Sequence, residues 1–272
     1  MTRILLAGCG KMGTAMLQGW LAQLDAGLEF MVYDPMLADD HLACQDDRVV
    51  TMTTLDPGQF PVDQAPDLVV LAMKPQMLPD AMPPLAAIST PKTVFLSIAA
   101  GITMAALKDH LGEDRAIIRT MPNTPAAIGK GITAMIFNDA VNPKMVALTK
   151  EMMGVIGAVV ELDDEADMDA VTAVSGSGPA YVFLMREALE SAGITAGLKP
   201  DLAAKLAEAT ISGASSLMDA SDESPSQLRI NVTSPAGTTQ AALDVLMAEN
   251  GLHQLMTSAV LAARNRSKEL GK

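Results

Sequence analysis

Cysteine and histidine are scarce in this 272-residue chain. Its two cysteines, Cys9 and Cys44, fall in different predicted elements, which excludes a disulfide scaffold and fits a reducing compartment. The three histidines, His41, His110 and His253, are isolated and show none of the paired spacings typical of metal ligands. We therefore expect neither structural disulfides nor a metal site.

Long apolar stretches and positive charge are also missing. No uncharged apolar run reaches about 18 residues, which excludes a membrane-spanning helix. No signal peptide is recognisable, so we expect a cytoplasmic protein. The formal net charge of −13 argues against binding to nucleic acid or to an anionic membrane surface. Aromatic residues make up only 3% of the chain while methionine reaches 20 residues, so methionines are expected to fill much of the core.

The most informative segment is a glycine-rich turn after the first apolar run. Residues 4–7 predict a buried strand that leads directly into Gly8-Cys9-Gly10-Lys11-Met12-Gly13. This pattern allows a tight turn at Gly8, a close approach of the backbone to phosphate at Gly10 and close helix packing at Gly13. A pyrophosphate would then sit on the first N–H groups of the following helix. The segment predicts a dinucleotide site.

The context of the glycine pattern strengthens this interpretation. Asp34 follows the next apolar run, residues 30–33, and lies roughly 20 residues beyond the glycines, where an acidic side chain would bind a ribose 2′-hydroxyl. The alternative is an ordinary strand, loop and helix of an α/β protein that binds no nucleotide.

The chain up to residue 163 predicts a Rossmann-like α/β domain. Short apolar runs alternate there with amphipathic stretches, which indicates a parallel sheet covered by helices on both faces. The predicted strands are residues 4–7, 30–33, 49–52, 68–72, 94–98, 116–119, 132–137 and 159–162. The predicted helices are residues 12–24, 76–87, 104–111 and 143–156. We assign dinucleotide binding to residues 1–163.

Residues 164–272 predict an all-helical domain. Strand patterns vanish there, and apolar residues recur at three- and four-residue spacing. The predicted helices are residues 181–192, 202–217, 239–247 and 252–263. Helix 202–217 has small or apolar residues on almost every side, as a buried helix does. These faces could be buried within the chain or against a second subunit, and we expect a dimerisation domain.

Five segments carry the candidate site residues. Three follow predicted strands at the carboxyl edge of the sheet, where open α/β sheets bind ligands, and two lie in the helical half. They are residues 70–76, 97–101, 119–125, 175–181 and 232–239. They contain no His or Cys, and Lys74 and Arg119 are their only charged residues. Such a site positions and polarises a substrate, which suits hydride transfer from a cofactor.

The last of these segments, residues 232–239, brings several hydroxyl groups to the start of a predicted helix. The N–H groups at the positive end of that helix are suited to binding a carboxylate. Ordinary capping of the helix by Ser or Thr is the alternative, and the spacing alone favours neither.

Together these motifs resemble the pyrroline-5-carboxylate reductase family. The resemblance rests on Gly8–Gly13, Ala72–Gln76, Arg119–Pro125, Ser175–Tyr181 and Val232–Thr239, and it spans nearly the whole chain. It implies NAD(P)H-dependent reduction of L-1-pyrroline-5-carboxylate to L-proline, the last step of proline biosynthesis. It also implies a dinucleotide-binding domain followed by a helical domain that interlocks with a second subunit, in homodimers that can assemble further into rings such as decamers.

The resemblance also implies a set of site residues. With Asp34, the implied cofactor residues are Gly8, Cys9, Gly10, Lys11, Met12, Gly13, Ala72, Met73, Lys74, Pro75, Ala100, Pro122 and Asn123. The implied substrate residues are Ser177, Asp222, Ser234, Gly237, Thr238 and Thr239. In this assignment the N–H groups of residues 237–239 bind the carboxylate, and the hydroxyl of Thr239, the catalytic residue, hydrogen-bonds the ring nitrogen. Asp222 would lie at the substrate's ammonium.

Two positions depart from the family pattern. Ala236 stands where the family usually has glycine, and if that position needs a positive φ, alanine costs about 1 kcal/mol or more. Asp34 has no Arg or Lys in the residues that follow it, whereas members that prefer NADPH commonly have Ser, Asn or Arg there. Because a carboxylate repels a 2′-phosphate, we expect NADH to be used at least as well as NADPH.

Two other functions stay open at the level of sequence. β-Hydroxyacid dehydrogenases and related imine reductases share the two-domain layout, but they would need a catalytic lysine early in the helical half, and residues 181–186 contain none. A non-catalytic dinucleotide sensor would not need the hydroxyl-rich helix start at residues 234–239. Whether NADH oxidation depends on added pyrroline-5-carboxylate separates these functions.

Overall fold

Short apolar runs form the strands of the first part of the chain. The computed structural model describes residues 1–24, 27–56, 58, 60 and 64–271. The strands are β1 (Thr2–Ala7), β2 (Leu28–Tyr33), β3 (Val49–Met52), β4 (Leu68–Leu71), β5 (Val94–Ser97), β6 (Ala116–Met121), β7 (Gly131–Phe137) and β8 (Gly157–Glu161). All eight predicted strands are confirmed. The first two begin two residues earlier than expected, because Thr2 pairs with Leu28 at the start of their parallel ladder.

The strands form a single sheet in the order β3-β2-β1-β4-β5-β6-β7-β8. The sequence predicted a parallel sheet, and six of the seven strand pairs are parallel, but β7 runs antiparallel to β6. The reason lies in residues 122–130, which join these two strands through a short 3-10 turn. A parallel partner would require a crossover of about a dozen residues or more, and this connection is too short for one.

Helices cover both faces of the sheet. They are α1 (Lys11–Gln23), α2 (Leu78–Ala87), α3 (Met104–Leu111) and α4 (Pro143–Gly154), and a short helix, α5 (Met168–Val171), follows β8. Apolar residues of α1 and α4 pack on one face, and those of α2 and α3 pack on the other. Trp20 of α1 is fully buried, donates its indole N–H to the carbonyl of Met152 at 2.9 Å and stacks on Phe30. The central strands are buried on both sides, which explains their nearly continuous apolar sequences.

The second part of the chain is helical. Its helices are α6 (Gly178–Thr195), α7 (Pro200–Ala220), α8 (Pro225–Asn231), α9 (Thr238–Leu246) and α10 (Leu252–Leu270). Helix α8 was not predicted, because the residues between predicted helices 202–217 and 239–247 include Pro225, which cannot continue a preceding helix. Pro225 instead occupies the first turn of the helix, and the Ser224 hydroxyl caps it by accepting the N–H of Gln227 at 3.2 Å.

The chain divides into two compact units. The first comprises Met1–Gly176 together with Ala263–Lys272, and the second comprises Ser177–Ala262. Between β8 and the second unit the chain passes through α5 and a π-helical turn, Thr172–Gly176. The functional boundary between residues 163 and 164 stays a prediction.

The second unit leaves large apolar side chains accessible. Phe183 of α6 is 62% exposed and Val245 of α9 is 73% exposed. Leu202 and Leu206 of α7 are about half exposed, whereas only Ala203 and Ala207 of that helix are buried. Exposed apolar surface of this extent is typical of a protein interface. Among the described residues, no helix combines the length and hydropathy that a bilayer crossing requires.

Candidate active site

The glycine turn between β1 and α1 can be formed only by glycine at two positions. Gly8 has a φ of +95°, and a Cβ there would lie 2.8 Å from the backbone carbon and oxygen of Ala72. A Cβ on Gly13 would lie 2.4 Å from the carbonyl oxygen of Gly8. Both contacts are too close for any side chain, so the first and third glycines of the pattern are required by the backbone itself.

The middle glycine and the start of α1 leave room for an anion. A Cβ on Gly10 would meet no atom within 4 Å. Gly10 is the N-cap of α1, no side chain caps this end, and the first turn contains no acidic residue. The first N–H groups of the helix therefore face the open space in front of Gly10 with the favourable sign of the helix dipole. These residues fit the pyrophosphate of a dinucleotide.

Asp34 is held against the glycine turn. Its Oδ2 accepts the backbone N–H of Cys9 at 2.8 Å, and its Oδ1 accepts the backbone N–H of Met36 at 2.8 Å. The sequence pattern anticipated a carboxylate near the ribose, but it did not reveal that the same carboxylate anchors the turn. Each oxygen keeps acceptor capacity beyond these bonds.

A cavity of about 260 Å³ brings several predicted cofactor residues together. Its lining includes the predicted residues Gly8, Gly10, Asp34, Ala72, Met73 and Lys74. Apolar and aromatic side chains complete it, namely Tyr33, Pro35, Met36, Met77 and Ala81. Lys74 therefore shares a cavity with Asp34, although 40 positions separate them in the chain. The residues that directly follow Asp34 include no Lys or Arg, and the fold brings the ammonium-bearing Lys74 to the cavity instead.

The other predicted cofactor residues of the first unit lie outside that cavity or at its rim. Cys9 is buried, Lys11 is exposed at the start of α1, Met12 is half-buried, and Pro75 begins a 3-10 turn before α2. Burial is the main reason that the pKa of the Cys9 thiol is raised above its usual value. Ala100 precedes Gly101 in the loop after β5.

Asn123 and Pro122 follow β6 and are buried. The Asn123 Nδ2 donates to the carbonyl of Ser175 at 3.1 Å, and its Oδ1 accepts the N–H of Ile132 at 2.9 Å. The side chain predicted to lie near the nicotinamide therefore ties the loop after β6 to β7 and to the π-helical turn.

Arg119 and Glu165 form an ion pair that the sequence analysis missed. The guanidinium of Arg119 in β6 is only 4% exposed and lies 2.7 Å from Glu165 Oε1. The same oxygen accepts the backbone N–H of Met104 at 2.8 Å. Arg119 is therefore already paired. Within the described ranges, no group of three or more His, Cys, Asp or Glu side chains could hold a metal ion.

The segment before α9 forms a tight turn. The N–H of Gly237 donates to the carbonyl of Ser234 at 3.0 Å, with Pro235 and Ala236 at the two central positions. Ala236 has a φ of +59°, the one positive value at a non-glycine position in the described chain. A type II turn requires a positive φ at this position. The strain that we expected at Ala236 if its φ were positive is therefore present.

The start of α9 lacks a side-chain cap. Gly237 is the N-cap residue, and no side chain accepts a hydrogen bond from the first turn of the helix. Ordinary capping by Ser or Thr, the alternative for this segment, is therefore absent. Thr238 is exposed and Thr239 is half-buried. The first-turn N–H groups of α9 remain suited to an anion.

The remaining predicted substrate residues, Ser177 and Asp222, lie at helix boundaries. Ser177 precedes α6 without capping it through its side chain, and Asp222 is exposed in the turn between α7 and α8. All predicted cofactor residues belong to the first compact unit, and all predicted substrate residues belong to the second.

The fold and the site define a dinucleotide-binding protein of the Rossmann class. The features that do so are the sheet order, the glycine turn and the uncapped start of α1. A family model described as pyrroline-5-carboxylate reductase dimerisation matches residues 165–270. A pyrroline-5-carboxylate reductase from Pseudomonas aeruginosa is 36% identical over 99% of this chain and 97% of its own length. The chain belongs to the pyrroline-5-carboxylate reductase family, which consists of NAD(P)H-dependent oxidoreductases.

Solved structures agree with this assignment. The structure of a pyrroline-5-carboxylate reductase from Coxiella burnetii matches with a TM-score of 0.88 and 34% identity, covering 100% of this chain and 99% of that one. A Plasmodium falciparum pyrroline carboxylate reductase, with NADP bound, matches with a TM-score of 0.82 and 28% identity, covering 100% of this chain and 98% of that one.

Proposed function

We propose that this protein reduces L-1-pyrroline-5-carboxylate to L-proline with NAD(P)H. The observation that carries the proposal is the cradle at the start of α1, where Gly8 and Gly13 are required by the backbone while Gly10 opens onto free space. Family membership supplies the substrate class, since relatives that match along the full chain are pyrroline-5-carboxylate reductases.

In this proposal the first unit binds the cofactor. The N–H groups at the start of α1 bind the pyrophosphate, and Asp34 binds the adenosine ribose. Ala72, Met73 and Lys74 line the same cavity, and the loops at Ala100 and at Pro122–Asn123 border the nicotinamide. When bound, the reduced nicotinamide supplies a hydride.

The second unit binds the substrate. We assign the carboxylate of pyrroline-5-carboxylate to the backbone N–H groups of residues 237–239, because the start of α9 has no side-chain cap. The Thr239 hydroxyl hydrogen-bonds the ring nitrogen, and Asp222 faces the ammonium of the product. Ser177 and Ser234 contribute further hydroxyl groups to the substrate site.

This set of residues suits an imine substrate. A protonated imine is already electrophilic, so the protein has to orient it and needs no strong acid or nucleophile. The segments that follow the strands and those in the helical half, residues 70–76, 97–101, 119–125, 175–181 and 232–239, contain no His or Cys, in keeping with that role.

The dimerisation region and its accessible apolar side chains support self-association. We propose a cytoplasmic homodimer that can assemble further into a ring such as a decamer. Exposed residues such as Phe183 would be buried by the second subunit.

The test is an assay of NADH and NADPH oxidation with the purified protein. Oxidation is expected only when pyrroline-5-carboxylate is present, and equal turnover of open-chain 2-keto or 3-hydroxy acids would contradict the proposal. Gly10→Leu should fold normally, because a Cβ there meets no atom, yet it should abolish cofactor binding by filling the space in front of α1. Gly154→Leu is the matched control, since Gly154 also has open space around it and lies at the end of α4.

A further inference from the structure

Both peptide groups that flank Cys9 in the glycine turn are held by side chains. The N–H of Cys9 donates to Asp34 Oδ2 at 2.8 Å. The carbonyl of Cys9 accepts the hydroxyl proton of Thr14, on the first turns of α1, at 2.9 Å. The sequence pattern accounts for Asp34 but gives no role to Thr14.

His41 completes this arrangement from the loop that follows β2. Its Nε2 lies 2.9 Å from Thr14 Oγ1, and its Nδ1 accepts the N–H of Ala43 at 3.1 Å. A threonine hydroxyl has a single proton, and here that proton goes to the carbonyl of Cys9. The neutral tautomer of His41 with its proton on Nε2 therefore satisfies all three groups, because Nε2 donates to Thr14 while Nδ1 accepts.

The consequence falls on Gly10. The carbonyl of Cys9 and the N–H of Gly10 belong to the same planar peptide group and point in opposite directions. Fixing the carbonyl towards Thr14 therefore fixes the direction of the Gly10 N–H, for which the described residues provide no acceptor. A glycine at this position would otherwise allow the peptide to rotate at little cost.

We propose that His41 is a positioning residue for the cofactor: through Thr14 it holds the Cys9–Gly10 peptide in the orientation that receives the dinucleotide pyrophosphate. His41 does not line the cavity that contains Asp34, so it acts through Thr14 and without touching the cofactor. The inference rests on the proposed NAD(P)H site. Preorganisation of this kind lowers the entropic cost of ligand binding.

A purely structural role for His41 is the competing explanation, since its Nδ1 also caps the short 3-10 turn Leu42–Cys44. Two substitutions of His41 distinguish the contributions of its two ring nitrogens. His41→Asn keeps an acceptor near the position of Nδ1 and loses the group at Nε2. His41→Gln keeps an N–H donor near the position of Nε2. On α1, Thr14→Val removes the hydroxyl and Thr14→Ser retains it.

The experiment measures the dissociation constants of NADH and NADPH by fluorescence titration, together with KM for each dinucleotide and kcat. His41→Asn and Thr14→Val should each weaken dinucleotide binding about three- to tenfold, as expected for one hydrogen bond. Their double variant should be no weaker than either single variant, because both break the same chain of bonds. In His41→Gln and Thr14→Ser the dissociation constants should lie within about twofold of the wild-type values. The kcat of each of these variants should equal that of the wild type, because the effect is on cofactor binding. The exposed His110 provides the control His110→Asn, which should leave binding unchanged.

Several outcomes would overturn the inference. Wild-type affinity in both His41→Asn and Thr14→Val would remove the positioning role, and so would equal losses in His41→Asn and His41→Gln. If a His41 variant failed to fold, judged by the signal of the buried Trp20, the Thr14→Val and Thr14→Ser pair would decide in the same way. A wild-type protein that bound neither dinucleotide would contradict the proposed function instead.

Discussion

Arg119 and Glu165 pair across 2.7 Å, and the guanidinium of Arg119 is almost completely buried. The carboxylate lies in a 3-10 turn after β8 and also accepts the N–H of Met104 at the start of α3. One side chain thus connects β6, α3 and the segment that leads to α5. A buried charge that loses its partner is strongly destabilising.

Glu165→Ala should therefore destabilise the protein by about 2–3 kcal/mol, less than for a fully buried pair because Glu165 itself is partly accessible. The measurement is urea unfolding followed by fluorescence of Trp20. Glu29→Ala is the matched control, because it removes the partner of Arg3 in a more accessible pair and should cost less than about 1 kcal/mol. An equal loss of unfolding free energy in the two variants would show that the burial of Arg119 does not make its ion pair more stabilising than an accessible one.

Ala236→Gly should stabilise the protein. The positive φ of Ala236 costs about 1–2 kcal/mol for an L-residue, while glycine loses about 0.5–1 kcal/mol through the freedom of the unfolded chain. The expected net gain is about 0.5–1 kcal/mol, which would raise Tm by about 2 °C. In contrast, Ala214→Gly in the exposed part of α7 should destabilise by about 1 kcal/mol. A lower Tm for Ala236→Gly would exclude strain in this turn.

The two cysteines should differ in reactivity. Cys9 is buried and its pKa is raised, so less of it is thiolate at mildly alkaline pH, whereas Cys44 is exposed. Iodoacetamide at about pH 8 should label Cys44 and spare Cys9 in the folded protein, as judged by peptide mass spectrometry. Labelling in denaturant, where both cysteines should react, provides the control. Preferential labelling of Cys9 would contradict the buried position of its thiol.

Much of the fold could be predicted from local patterns. Residues 68–71 form a continuous apolar run, and β4 is buried at all four of its positions, so burial alone specifies such a strand. The prediction of a parallel sheet was wrong for the β6–β7 pair, because the direction of β7 depends on the length of the connection after β6 rather than on the apolar residues of the strand. Helix α8 was missed because proline is common both between helices and in the first turn of a helix, so Pro225 alone does not reveal that a new helix begins there.

The candidate site was only partly predictable, for a different reason. The glycines and Asp34 belong to one local pattern whose geometry follows from the backbone. The bond between Thr14 and His41 joins positions 27 apart, and the bond from Asn123 to Ser175 joins positions 52 apart. No periodicity within the sequence encodes such contacts, because they exist only after the strands have been placed side by side.

The choice between NADH and NADPH should depend on Asp34 and Lys74, which line the same cavity. We expect a kcat/KM for NADH at least equal to that for NADPH, because Asp34 repels a 2′-phosphate. Asp34→Asn removes the charge and keeps an acceptor for the N–H of Cys9, although it loses the acceptor for the N–H of Met36. It should shift the ratio towards NADPH by at least about tenfold, or 1.4 kcal/mol. Lys74→Ala should shift it in the opposite direction. A wild-type preference for NADPH of about tenfold or more would contradict the electrostatic argument.

Thr239 should contribute to substrate reduction through its hydroxyl. Thr239→Val keeps the shape of the side chain and removes the hydroxyl that we propose to hydrogen-bond the ring nitrogen. The loss of transition-state stabilisation, calculated from kcat/KM for pyrroline-5-carboxylate, should be about 1.5–3 kcal/mol. The dissociation constant for NADH should stay unchanged, because the glycine turn belongs to the other compact unit. Steady-state kinetics and fluorescence titration measure the two effects separately. Thr257→Val, at an exposed threonine in the part of α10 that belongs to the second unit, controls for the loss of a helical hydroxyl from that unit. If Thr239→Val kept wild-type efficiency or weakened NADH binding, the segment before α9 could not be the substrate site.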